Sequence, residues 1–228
     1  MTNLKKTTAL FAFFAMILGS NYAFAQNNNI FAAVVRAGYN NSTIKADFVN
    51  LRTTETTAGH GFYVGFGVER RFAERFSAII GVDYFHKNST LKSTAEPIET
   101  KLNMGYGSVD LGLKFYPTYD LGISVGGFLS SDFTTNAKMS YTNGNTASLS
   151  NREELLKTEL DDYVKGNYGL RFGVDYRVID QLHIEAFYRL GLADGGKDNT
   201  LNGRTQQREL KISSINVGIN YRFDFKAN

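Results

Sequence analysis

The chain has 228 residues, with 25 Lys and Arg against 22 Asp and Glu, 14% aromatic residues, and neither cysteine nor tryptophan. That length suits one domain or at most two, and a near-balance of charge with no basic run or face excludes a nucleic-acid partner. Without cysteine there is no disulfide framework and no thiol to carry a lipid anchor.

In chain order, Lys5 and Lys6 precede the apolar run Ala9 to Leu18, and Gly19 to Ala25 ends in an A-x-A pattern. A charged start, a short apolar segment and small residues at the end predict a secretory signal peptide over 1–25, cut before Gln26, with a single domain over 26–228. Removing Lys5 and Lys6 with it leaves 23 basic against 22 acidic residues. Beyond it no stretch approaches the roughly 18–20 continuous apolar residues of a membrane helix. If this exported chain enters a membrane, it must do so as a closed sheet, because only helices and closed barrels pair every backbone group inside hydrocarbon.

Eight segments alternate apolar and other residues with the period of a half-buried strand. They run through Phe31 to Tyr39, Phe62 to Val68, Phe76 to Tyr84, Val109 to Phe115, Leu121 to Leu129, Tyr168 to Tyr176, Leu182 to Leu190 and Ile215 to Phe225. Three connections are tight: Arg71 to Arg75, Pro117 to Asp120 and Val178 to Asp180. The other four, roughly 41–59, 89–101, 134–165 and 193–209, are long and polar. Short and long alternate throughout, which predicts an all-β, eight-stranded antiparallel up-and-down transmembrane barrel with short periplasmic turns, long extracellular loops and both termini at the short-turn rim.

A soluble ligand-carrying barrel has the same strand count. The face opposite the apolar one carries Gly38, Gly65, Gly67, Gly81, Gly112, Gly122, Gly126, Gly169, Gly173 and Gly218. Such a face suits a lumen barely wide enough for side chains and makes a poor solvent surface. Phe72, Phe76, Phe115, Tyr116, Tyr119, Tyr176, Tyr221, Phe223 and Phe225 gather toward the short-turn rim, with Tyr39, Phe62, Tyr84 and Tyr168 toward the long loops. These are the two interfacial belts of a membrane barrel. The absence of tryptophan also removes the Gly-x-Trp motif that opens soluble lipocalins.

With this strand and turn plan and the ending INVGINYRFDF (residues 215–225), the chain resembles the small outer-membrane-protein β-barrel domain family, the eight-stranded group of OmpA-transmembrane-like, OmpX-like and PorT-like barrels. The resemblance covers 26–228 and rests on the plan rather than on one motif. It implies residence in the outer membrane of a Gram-negative type cell as a monomer among outer-membrane lipids and lipopolysaccharide, with no cofactor. It also implies that Tyr221, Phe223 and Phe225 form the C-terminal signal read by the barrel-assembly machinery, although Lys226, Ala227 and Asn228 follow where the family usually ends on the aromatic residue. An external ligand or protein partner is left unnamed by the resemblance.

On this register Arg36, Lys114, Arg171, Arg189 and Arg222 face the lumen with Glu69, Asp83, Asp110, Asp175, Glu185 and Asp224. Isolated charges in so narrow a space are costly, so a paired network that closes the pore is expected, with a gated ion or proton path as the alternative. Nothing points to a metal: His60, His86 and His183 have no ligand cluster around them, and His183 is expected to bond Glu69 or Glu185. For a lipid hydrolase the nearest candidate is FHKNST, with His86, Ser89 and Thr90. There Asn88, not serine, stands two residues after His86, unlike the His-x-Ser-Asn arrangement of outer-membrane lipid A deacylases. Gly-x-Gly in GFGVER and GYGSVD lies inside strands, not before helices, and Asp194 to Asp198 reads as a loop turn. In the third long loop Ser150 and Glu153 have capping-box spacing, and Leu155, Leu156 and Leu160 could line a short helix, either a lid or external contact surface or a helix resting on the barrel mouth.

Overall fold

A strand in hydrocarbon must pair its backbone on both edges, and the alternating segments do so by closing on themselves. The computed structural model describes residues 30–46, 54–56, 59–93, 97–141, 149–151, 153–154, 168–192, 199–201, 204–206 and 210–226. The leader 1–25, Asp194 to Asp198, and Leu155, Leu156 and Leu160 lie outside them.

Eight long strands form the wall: β1 (Ile30–Ala46), β3 (Gly59–Ala73), β4 (Phe76–Ser93), β5 (Ile98–Phe115), β6 (Leu121–Tyr141), β7 (Tyr168–Arg177), β8 (Leu182–Gly191) and β11 (Leu210–Lys226). Short β2 (Thr54–Thr56) adds to β4, and β9 (Asn199–Leu201) pairs with β10 (Arg204–Gln206). Each long strand is antiparallel to its chain neighbour, and β1 to β11 closes the ring with Ile30 opposite Lys226. The three tight turns stand where the spacing put them, and both described chain ends share their rim.

Register fixes the tilt. The paired row from Val125 of β6 runs through Phe172, Tyr188, Ile215, Asn41, His60, Asn88 and Asn103 and returns to β6 at Asn136, eleven residues along. One of the eleven is the extra β6 residue at the bulge opposite Gly105 and Tyr106. A displaced return of this kind obliges the strands to lean against the barrel axis. The two faces differ sharply: Val82, Leu129 and Ile215 are 58%, 54% and 60% exposed on the outside, while Tyr63, Phe85 and Lys87 on the inside are fully buried.

The strands are longer than the apolar alternation. Ladder pairing continues through Lys92↔Glu99 on β4 and β5 and through Ile98↔Tyr141 on β5 and β6, so most of 89–101 and the start of 134–165 are strand, not loop. β1 likewise extends to Ala46, and β11 begins at Leu210. Above the apolar wall the outer face turns polar while Ile98, Leu102 and Met104 stay buried inside, so the outward apolar period that marks a strand stops although backbone pairing persists. Residues 150–151 and 153–154 are helical, with the Glu153 N–H donating to the Leu149 carbonyl at 3.0 Å. The Glu153 carboxylate accepts the Met139 N–H of β6 at 2.6 Å, tying this turn to the β6 wall.

Candidate functional site in the lumen

The inward positions of the eight strands build two charge clusters. Their starting point is an awkward hairpin. In the β7–β8 ladder Arg171 stands opposite Arg189, and Asp175 opposite Glu185. Like charges directly opposite destabilise a strand pair, so these residues need partners from across the barrel.

Closure supplies them. Asp110 of β5 lies 3.3 Å from Arg171 and 3.5 Å from Arg189, and accepts a hydrogen bond from Ser108 at 2.8 Å. Arg36 grips Asp83 with two N–H donors at 2.5 and 2.7 Å, the bidentate geometry that makes guanidinium–carboxylate pairs strong. Below, Glu69 receives Arg222 at 2.8 Å, Lys114 at 3.5 Å, the Ser77 hydroxyl at 2.6 Å and the Tyr116 hydroxyl. Lys114 also reaches Asp175 at 2.6 Å, linking the lower cluster to β7. Glu185 is held by neutral donors, Tyr63 at 2.7 Å and Asn220 at 3.2 Å.

The inward glycines make room for these groups. A Cβ on Gly65 would lie 1.8 Å from the Asp83 carboxylate, one on Gly81 2.4 Å from the Arg36 guanidinium, and one on Gly122 2.3 Å from the Lys114 chain. Above the charges the lumen is filled by rings. Tyr63, Phe85 and Tyr106 stack at 5.8 and 5.1 Å, and Phe187 meets Tyr63 edge-on at 5.1 Å. Arg189 sits between Phe128 at 3.9 Å and Phe85 at 4.4 Å, and Arg171 covers Phe187 at 4.1 Å. Higher still Lys87 lies over Tyr106 at 5.2 Å, and Asn40 donates to Asn216.

Several placements depart from the sequence reading. Asp224 pairs with Arg222 at 2.6 Å, but its side chain is 46% exposed at the rim, because β11 ends there. Lys87, absent from the expected lumen set, is fully buried inside. His183 bonds Asp175 at 3.2 Å rather than Glu69 or Glu185, since tilt brings the β7 carboxylate beside it. The ring layer was missed too: Phe85 follows Tyr84 directly and so falls off the apolar period, which tracked only the outward face. His86 faces outward and stacks on Phe62 at 5.1 Å, while Ser89 is buried on the opposite face of the same strand, so the two are not a hydrolytic pair. His60 is outward as well, against Tyr39.

A cavity of about 40 Å³, the volume of about three waters, lies among Arg36, Glu69, Lys114, Arg171, Asp175, His183 and Glu185. The Arg171 Nε and His183 Nε2 have no hydrogen-bond partner among the described residues, and both residues line this cavity. The arrangement therefore combines a small hydrated-size chamber with ion pairs below and rings above.

Comparison with known proteins agrees with this architecture. The outer membrane protein beta-barrel domain family matches residues 9–223. Among solved structures, OprG from Pseudomonas aeruginosa is similar at 16% identity and a TM-score of 0.47, covering 87% of this chain and 98% of its own. Ail, the attachment invasion locus protein of Yersinia pestis, gives 15% identity and 0.43 over 86% and 100% of the two chains. Neisserial surface protein A gives 14% and 0.37 over 84% and 99%. No curated protein matches the sequence. A match that takes in nearly the whole chain, on a closed eight-stranded wall, makes this protein a member of the outer membrane protein β-barrel domain family.

Proposed function

We propose that the protein is a monomeric outer-membrane barrel with a plugged lumen, which acts structurally and through the strands and loops that it holds outside the cell. The carrying observation is the filling of the lumen by side chains around the small chamber, from Arg222–Glu69 through Arg36–Asp83 to Arg189 over Phe85 and Phe128. A narrow lumen occupied in this way leaves no water column for a general porin. Outward Tyr221, Phe223 and Phe225, 38%, 47% and 57% exposed along the last strand, would serve the barrel-assembly machinery as the recognised strand end. Outer-membrane lipids and lipopolysaccharide are its surroundings, and the reading needs no cofactor or metal.

Planar-bilayer recording of the purified barrel is the test. Rare, small openings are expected; frequent large ones would overturn the plug. A gated path is the second reading, favoured by the cavity with its unpartnered Arg171 and His183 nitrogens, and the same recordings decide it. The reading is also non-catalytic: any lipid-hydrolase activity present in wild type and lost in His86→Ala would contradict it.

A further inference from the structure

Above the apolar wall the outer face carries a row of unexpected composition. Register sets His60 of β3, Asn88 of β4, Asn103 of β5 and Asn136 of β6 side by side, all exposed. Strands disfavour asparagine, so three in one row on adjoining strands are not explained by sheet stability. Two residues higher, Lys101 of β5 stands directly opposite Lys138 of β6, both exposed and neither with an ion-pair partner among the described residues. Glu99, two residues along β5 and diagonal to Lys138, stands directly opposite Lys92, so one carboxylate serves three lysines on this face and none stands directly opposite Lys101 or Lys138 in the β5–β6 ladder. Like charges placed so destabilise a sheet unless an anion lies between them.

Height selects the occupant. Asn103 lies six residues beyond Val109, the last apolar residue on that face of β5. At about 3.3 Å per residue and a tilt of about 45°, the row there stands about 14 Å above the hydrocarbon. A phospholipid headgroup layer is only about 5–7 Å deep per leaflet. A lipid whose acyl chains lie on Val109 and Leu129 reaches the row only if its headgroup carries several sugars.

We propose that this face binds the anionic core sugars of the outer-leaflet glycolipid. The amides of Asn88, Asn103 and Asn136 exchange hydrogen bonds with sugar hydroxyls, and Lys101 and Lys138 share a phosphate or carboxylate on the core. This rests on the barrel spanning the outer membrane and not on its lumen being closed, so conductance and lipid retention fail independently.

The test is native mass spectrometry of the full barrel exchanged among rough-type lipopolysaccharide, lipid A without core sugars, and phosphatidylglycerol. Rough lipopolysaccharide should be retained about tenfold over lipid A, the return of one or two net hydrogen bonds. Lys101→Ser with Lys138→Ser, and separately Asn88→Thr with Asn103→Thr and Asn136→Thr, should each remove most of that preference. Threonine favours strands, so the second variant keeps the fold, and heat-modified gel migration verifies it for both. Equal retention of lipid A and rough lipopolysaccharide overturns the proposal, as does full preference in either folded variant.

Discussion

The lower and upper halves of the lumen bury cations by different means. Below, Lys114 and Arg222 converge on Glu69, which also takes hydroxyl donors from Ser77 and Tyr116. Above, Arg189 is 3.5 Å from Asp110, its nearest carboxylate among the described residues, and its guanidinium also lies over the Phe85 and Phe128 rings. A ring face is electron-rich and can stand in for an anion toward a cation. It cannot stand in for a donor toward a carboxylate. The carboxylates accordingly sit where N–H and O–H donors converge, and the cations that reach highest sit among rings.

Removing partners on each side breaks this comparison most directly. Glu69→Ala leaves buried Lys114 with Asp175 alone and Arg222 with the half-exposed Asp224, and should cost about 3 kcal/mol, read as a lowered urea midpoint of the refolded barrel. Adding Lys114→Met should recover part of the loss, and no recovery would mean that Glu69 acts through something other than charge pairing. Phe187→Ala in the upper layer should cost about 3 kcal/mol through lost packing. If rings rather than ion pairs seal the lumen, it should also raise bilayer conductance more than Lys114→Met does.

The outer wall sharpens the contrast, because a charge there has neither kind of partner. Val125 is 51% exposed on the lipid face midway along the apolar part of β6, and Val125→Lys should destabilise the barrel in lipid vesicles by about 2 kcal/mol. The smallest effect is expected where water already solvates the pair. Arg177 reaches Asp120 at 2.7 Å and covers Tyr119 at the turn rim, with Asp120 46% exposed. Arg177→Ala should cost under about 1 kcal/mol in the same unfolding measurement.

Much of this was legible before any coordinate. Where one face meets hydrocarbon and the other a crowded axis, the period of two is visible in every segment from Phe31 to Phe225. It failed where that contrast ends. Ser89 to Lys101 reads as loop because the β4 and β5 extensions are polar on their outer face, and Phe85 and Lys87 are passed over because an inward aromatic beside an outward one looks like a break in the pattern. The partner of His183 was misjudged for another reason: neighbours in a tilted barrel are set by register between strands, which alternation does not contain.

What the sequence by itself determined is which side of each strand meets lipid and in which order the strands are joined, because those follow from local alternation and turn chemistry. Which charge meets which was decided by the tertiary structure alone. Taken as a hairpin, β7 and β8 oppose Arg171 to Arg189 and Asp175 to Glu185, an arrangement that repels itself. Only closure of the wall, at the register and tilt it adopts, brings Asp110, Lys114 and Tyr63 across the axis to relieve it.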